Sequence, residues 1–122
     1  AQGRGGRIIF TASIAAIEGG GFHGPYGASK GGMVTLVRTM AREWAPYGIT
    51  VNAVSPGLTA TAINQTLASD PEVLETLLDK IPLHRMAKPE EIASAMLYLA
   101  TESAAFITGT TLIADGGATT GG

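Results

Sequence analysis

The sequence predicts an α/β fold with parallel strands, because short apolar, β-favouring runs alternate with segments whose apolar residues recur at helical spacing. That alternation favours right-handed crossover connections between neighbouring parallel strands. Most of the 17 glycines support this organisation, since they fall at or between the predicted element ends, where turns and caps require them. With no internal repeat and no second domain, residues 1–122 are expected to form one unit.

The first predicted strand, residues 8–11, follows a glycine-rich, turn-like stretch. A helix is predicted from Tyr26 onwards, with Pro25 in its first turn, where the N–H that proline lacks would be unpaired in any case. Its apolar stripe comprises Met33, Leu36, Val37, Met40, Ala41 and Trp44. Pro46 and Gly48 end this helix.

A second buried strand is predicted over residues 50–55, ended by Pro56-Gly57. Residues 60–83 are predicted to form two short helices separated near Asp70-Pro71. Pro89 opens a further amphipathic helix. Its apolar set is Ile92, Met96, Leu97, Leu99 and Ala100. The third strand is predicted at residues 110–114, and residues 115–117 form a turn rather than a metal site.

Composition excludes several classes of function. Hydrophobic residues make up 45% and charged residues 15%, which is typical of a globular protein, and a net charge of −2 argues against nucleic acid as a partner. No apolar run reaches the roughly 18 residues that cross a bilayer. The absence of cysteine excludes disulfides and fits a reducing, cytoplasmic location. Since His23 and His84 lack ligand spacing, no metal site is expected.

Ser13, Tyr26 and Lys30 are the candidate catalytic residues. Tyr26 and Lys30 are four residues apart and therefore lie on one face of the predicted helix. An ammonium near a phenol favours the phenolate and lowers the pKa of the tyrosine, which could then exchange a proton with an alcohol near neutral pH. Ser13 follows the first strand by two residues, and ligands of parallel sheets bind beyond the carboxyl ends of the strands. Its hydroxyl could hold a substrate oxygen against Tyr26.

Two other interpretations of these residues stay open. The Tyr-x-x-x-Lys spacing is also compatible with a surface lysine that lies over a tyrosine ring. A Ser29-Lys30 hydrolase pair is disfavoured, because adjacent helical residues point about 100° apart.

Five ordered stretches carry a resemblance to a known family. They are GRIIFTAS (6–13), YGASK (26–30), GITVNAVSPG (48–57), KPEEIA (88–93), and ITGTTL (107–112) with DGG (115–117). In these the chain resembles the C-terminal half of a short-chain dehydrogenase/reductase, including the 3-oxoacyl-(acyl carrier protein) reductase and glucose dehydrogenase-like members. The resemblance implies the C-terminal part of a Rossmann-like, doubly wound parallel sheet, with about three strands and flanking helices. The N-terminal nucleotide-binding half of that fold is expected to be absent.

The resemblance also implies a reaction and the residues that perform it. The reaction is hydride transfer between an alcohol or ketone and NAD or NADP. Tyr26 would be the general acid/base, Lys30 would lower the pKa of Tyr26 and bind the nicotinamide ribose, and Ser13 would polarise the carbonyl. Residues at the nicotinamide would be Pro56, Gly57, Thr59 and Thr61. Residues 58–86 would form a substrate-binding lid, and the protein would be a homo-oligomer.

The choice between NAD and NADP is open, because the glycine-rich phosphate loop and the residue that selects the cofactor precede this chain in the family. The alternative function is a non-catalytic, truncated fragment that acts as an oligomeric binding or structural module. The first strand would then expose an unpaired edge, which predicts self-association.

Overall fold

The computed structural model describes residues 5–14, 24–61 and 69–120, and in these ranges three strands alternate with three α-helices. In chain order they are β1 (Gly6–Thr11), α1 (Gly24–Trp44), β2 (Ile49–Pro56), α2 (Pro71–Leu78), α3 (Pro89–Ala100) and β3 (Thr111–Ala114). Short 3-10 helices span Ala45–Tyr47, Glu102–Ala104 and Ala118–Thr120. Among the described residues, the three predicted strands and the helices predicted from Tyr26, near Asp70-Pro71 and from Pro89 are present, with strand ends that differ by one or two residues.

The three strands form one parallel sheet in the order β1-β2-β3. The register pairs Thr11 with Val54 at the end of β1, and Pro56 with Ala114 at the end of β3. Parallel pairing brings the carboxyl ends of all three strands to one edge of the sheet. This arrangement confirms the predicted α/β fold.

The core lies around β2, because the central strand is covered on both faces. Val51, Ala53 and Val54 are fully buried, and Val51 and Ala53 pack in one cluster with Val37 and Ala41 of α1. Partly buried side chains complete this cluster: Ile8, Phe10, Met33, Val34, Met40, Trp44 and Ile49.

The predicted apolar faces of α1 and α3 are only partly buried. Leu36 of α1 is 47% exposed and Leu97 of α3 is 68% exposed, so these two members of the predicted apolar sets lie outside the core. Ala100 is exposed as well, whereas Leu99 is buried. Helical spacing defines a broad stripe, but the neighbouring strands cover only part of it.

Asn52 connects β2 to the segment that leads into β3. Its side chain is fully buried, its Nδ2 donates to the Ile107 carbonyl over 3.0 Å, and its Oδ1 accepts from the Thr110 N–H over 3.2 Å. Next to it, the Val51 N–H donates to the Thr108 hydroxyl over 3.0 Å. These bonds satisfy polar groups inside the sheet and hold the β2–β3 register.

The segment between β2 and α3 is closed at its base by backbone hydrogen bonds. The Ala60 N–H donates to the Ala87 carbonyl over 2.8 Å, and the Ala87 N–H donates to the Leu58 carbonyl over 2.9 Å. Within this segment, α2 begins where the sequence predicted a break, and Asp70 caps it by accepting from the Glu72 N–H over 2.9 Å. The other helix predicted here lies mostly in residues 62–68, outside the described residues. None of the described helices is both long and apolar enough to cross a membrane.

Candidate active site at the carboxyl ends of the strands

Ser13 lies just beyond the tip of β1, against the end of β2. The residues on either side of it are tied to β2, since the Ala12 N–H donates to the Val54 carbonyl over 2.7 Å and the Ile14 N–H to the Pro56 carbonyl over 3.3 Å. Ser13 is therefore held, half-buried, at the sheet edge where the sequence predicted a ligand.

Tyr26 and Lys30 lie in the first two turns of α1 and contact each other. The Lys30 Nζ is 5.7 Å from the centroid of the Tyr26 ring, and Tyr26 is 49% exposed. The same Nζ donates to the Thr11 carbonyl over 3.1 Å. Lys30 thus joins the tyrosine ring to the end of β1, two residues before Ser13. The convergence of Ser13 and Tyr26 on one substrate oxygen stays a prediction.

The end of β2 and the loop after it contribute Pro56, Gly57, Thr59 and Thr61 to the same edge. The Gly57 N–H donates to the Ala114 carbonyl over 3.0 Å, and the Thr59 hydroxyl donates back to the Gly57 carbonyl over 3.0 Å. The Thr61 N–H donates to the Thr59 carbonyl over 2.8 Å. A compact turn therefore places two threonines directly after the strand end.

Gly57 is required in this loop by a close approach to the end of β3. A Cβ at Gly57 would lie 2.8 Å from the Asp115 Cβ and 2.9 Å from its Cα, closer than non-bonded carbons approach. Any larger residue would push the loop away from the sheet edge.

Asp115 is a buried carboxylate that holds the turn after β3. Its Oδ1 accepts from the Gly117 N–H over 2.9 Å and its Oδ2 from the Thr119 N–H over 2.8 Å. Burial opposes ionisation and is the largest influence on Asp115. Hydrogen bonds from Thr119 and Gly117 together outweigh it, so the pKa of Asp115 lies below its ordinary value. The predicted turn at 115–117 is confirmed, and the sequence showed neither this burial nor its contact with Gly57.

The lowered pKa of Asp115 predicts a loss of stability in acid. Because the folded pKa lies below the unfolded pKa, the carboxylate contributes stability above the unfolded value, and that contribution disappears as the pH falls through the folded value. We expect Asp115→Asn to reduce the free energy of unfolding at pH 7 and to differ less from the wild type at pH 2.5. Urea unfolding at the two pH values measures this, and an equal difference at both would contradict it.

His84 makes contacts that the sequence did not predict. Its Nε2 lies 3.2 Å from a Glu75 carboxylate oxygen, and its Nδ1 lies 3.8 Å from a carboxylate oxygen of Asp79. All three residues are exposed, so these are surface ion pairs when the imidazole is protonated. Sequence spacing could not show this, because a turn returns His84 towards α2. His23 lies outside the described residues.

Comparisons with known proteins show the family to which the chain belongs. A family model described as enoyl-(acyl carrier protein) reductase matches residues 1–119. The chain is 41% identical to an L-rhamnose 1-dehydrogenase (NAD(P)(+)) of Azotobacter vinelandii, over 95% of this chain and 45% of that protein. It is 39% identical to the 2-dehydro-3-deoxy-D-gluconate 5-dehydrogenase of Escherichia coli, over 96% of this chain and 46% of that protein.

Solved structures show the same fold. A gluconate 5-dehydrogenase from Burkholderia cenocepacia, in complex with NADP and tartrate, superposes with a TM-score of 0.89 at 32% identity. The match covers 95% of this chain and 46% of that one. The chain thus spans about half the length of the relatives it matches. The chain belongs to the short-chain dehydrogenase/reductase family.

Proposed function

We propose that the protein is an NAD(P)-dependent oxidoreductase that interconverts an alcohol and a ketone. The observation that carries this proposal is Lys30, which contacts the Tyr26 ring and donates to Thr11 at the sheet edge that also holds Ser13. A phenol, an ammonium and a hydroxyl at the carboxyl ends of parallel strands suit proton transfer to a bound substrate.

Each of the three residues has a distinct part in the proposed reaction. When an alcohol is oxidised, its hydroxyl proton passes to the Tyr26 oxygen, and a bound nicotinamide would accept the hydride from the carbon that carries this hydroxyl. Lys30, whose ammonium lies over the Tyr26 ring and bonds to Thr11, holds the tyrosine beside the end of β1. The Ser13 hydroxyl donates a hydrogen bond to the substrate oxygen and orients it. In ketone reduction, Tyr26 returns the proton to the oxygen.

The described residues fit the nicotinamide end of such a cofactor. Bound nicotinamide would supply the hydride chemistry, which amino-acid side chains do not provide. Lys30 has three N–H donors and uses one on Thr11, which leaves two for ribose hydroxyls. The loop carrying Pro56, Gly57, Thr59 and Thr61 offers hydroxyl and backbone groups that suit a carboxamide. NAD and NADP stay equal candidates, because they differ at the far end of the molecule.

The names of the relatives suggest a substrate class. L-rhamnose, 2-dehydro-3-deoxy-D-gluconate and glucose appear in the names of matched dehydrogenases. We therefore propose that the substrate is a sugar or sugar acid with a secondary hydroxyl, and such compounds are the first to assay. A cytoplasmic location remains the expectation from the sequence.

A second candidate function is a non-catalytic, oligomeric binding module. In the described residues β1 pairs only with β2, so its other edge carries unpaired backbone groups, and Leu36 and Leu97 are exposed on the helices. These features favour a homo-oligomer under either function, so oligomerisation alone does not separate the two.

Cofactor binding separates the two candidates. NADH and NADPH are titrated against the chain while the fluorescence of Trp44 and of the nicotinamide is followed. The enzyme proposal expects saturable binding, a weaker affinity in Lys30→Met, and little change in the matched control Lys88→Met, whose lysine lies outside the proposed site. Absence of binding at millimolar cofactor, by a chain whose circular dichroism shows a folded α/β protein, would favour the binding module.

A further inference from the structure

We infer that the turn at Asp115-Gly116-Gly117 holds in place both residues 56–61, called here the nicotinamide loop, and residues 81–83, the base of the expected lid, with Asp115 as the positioning residue. The inference rests on the proposed function for its catalytic consequence. Its structural content, a coupling between two segments through one carboxylate, can be tested separately. We refer to these three residues as the 115–117 turn.

The first step is the contact between the turn and the nicotinamide loop. The Gly57 N–H donates to Ala114, the residue before the turn, over 3.0 Å. The space where a Cβ of Gly57 would stand is filled by Asp115, whose backbone is therefore in van der Waals contact with the loop. A shift of Asp115 would change the position of Gly57 directly.

The second step is the contact between the turn and residues 81–83, at the base of the lid. The Leu83 N–H donates to the Gly116 carbonyl over 3.1 Å. A Cβ at Gly116 would lie 2.8 Å from Ile81 Cγ2, and one at Gly117 would lie 3.0 Å from Pro82 Cγ. Both glycines have positive φ, +64° and +92°. Only glycine adopts this pair of conformations readily while leaving room for the lid base.

The third step is what holds the turn itself. Gly116 and Gly117 can adopt many backbone conformations in the unfolded chain, so hydrogen bonds are needed to hold them in the positive-φ conformation of the turn. The Asp115 carboxylate supplies two such bonds, to the N–H groups of Gly117 and Thr119, and it is buried. Charge-assisted bonds of this kind are about twice as strong as neutral ones. The carboxylate therefore orders the surface on which both segments rest.

Residues 81–83 also border a cavity. Its volume is about 140 Å³, and it separates part of this segment from α3 and the end of β3. The lining residues are Leu83, Arg85, Ala87, Glu91, Ile92, Ala114 and Gly116. The backbone bonds that tie this part of the chain to the strand ends are Leu83 N–H to Gly116 and the Leu58–Ala87–Ala60 bonds, and Ile81 is buried beside the turn. Movement at the turn would thus reach residues 81–83 and the nicotinamide loop together.

The structural test is amide hydrogen exchange followed by NMR at pH 7. In Asp115→Asn we expect exchange at Gly57 and Leu83 to accelerate at least tenfold more than exchange at Ala53, whose N–H donates to Thr110 within the sheet. The matched control is Asp70→Asn, which removes the same charge from the lid but keeps a good N-cap. The exchange rates of Gly57 and Leu83 in this control should stay within twofold of those in the wild type.

Two exchange patterns would overturn the coupling. Acceleration confined to Gly117 and Thr119 would mean that Asp115 orders only its own turn. Equal acceleration at Gly57, Leu83 and Ala53 would mean a general loss of stability. Thr119→Ala is the milder second variant, since it removes the hydroxyl contact to Asp115 and keeps the backbone donor. It should change the Gly57 and Leu83 rates in the same direction by a smaller factor.

The catalytic consequence is read from steady-state kinetics with a substrate that the wild type turns over. Asp115→Asn should raise KM for the nicotinamide cofactor at least fivefold with kcat within twofold, because the residue touches neither reacting atom. If KM for the cofactor is unchanged in Asp115→Asn while exchange at Gly57 and Leu83 accelerates together, Asp115 does not position the cofactor site. The structural coupling between the two segments would still stand. If the wild type neither binds cofactor nor turns over, the proposed function fails, while the exchange pattern still decides the coupling.

Discussion

Tyr26→Phe should lower kcat/KM for alcohol oxidation by about 10²- to 10⁴-fold, the usual contribution of a positioned general acid/base. Phenylalanine keeps the ring over which Lys30 lies and removes the only atom that exchanges a proton. Cofactor affinity should therefore change little, since Lys30 and the 56–61 loop are untouched. Turnover is followed by the absorbance of the reduced nicotinamide, and cofactor affinity by Trp44 fluorescence.

The matched control for this substitution is Tyr47→Phe. Tyr47 is 70% exposed and lies in the 3-10 helix after α1, at the opposite end of that helix from the proposed site. The same loss of a hydroxyl there should leave kcat/KM within about twofold. A Tyr26→Phe variant that retains a tenth or more of the wild-type kcat/KM would contradict the proposed role of the phenol.

Asn52→Ala should reduce the free energy of unfolding by about 2–4 kcal/mol. The substitution removes two hydrogen bonds and leaves the Ile107 carbonyl and the Thr110 N–H without their partner inside the sheet. A buried group left unsatisfied costs about 1–3 kcal/mol, and the volume lost from the side chain adds to that cost. Urea unfolding, monitored by circular dichroism and Trp44 fluorescence, gives the difference.

Thr76→Ala is the control for the stability measurement. The Thr76 hydroxyl also donates to a carbonyl, that of Glu72, but it does so on the exposed surface of α2, where water can replace the bond. Its removal should change stability by no more than about 0.5 kcal/mol. If Asn52→Ala costs less than about 1 kcal/mol, the β2–β3 connection does not depend on this side chain, and the register is held by the strand bonds alone.

The predictable part of the site is the part that depends on local spacing. Tyr26 and Lys30 are one turn apart in a helix that begins near Pro25, so their contact follows from helix geometry once the helix is recognised. Ser13 and Pro56-Gly57 follow apolar runs, and parallel pairing brings such positions to one edge. The hydrogen bond from Lys30 to Thr11 was not predicted, because it depends on how α1 lies over β1.

The order of strands and helices and the Tyr26–Lys30 contact were determined by the sequence alone, because apolar periodicity and turn residues act over a few neighbouring positions. Tertiary structure alone decided the roles of Asn52 and Asp115, since each bonds or packs against segments tens of residues away. It also decided that Leu36 and Leu97 face solvent. A residue's own neighbours in sequence define its conformation, but only the packing of distant segments defines which surfaces are covered and which polar groups must find partners.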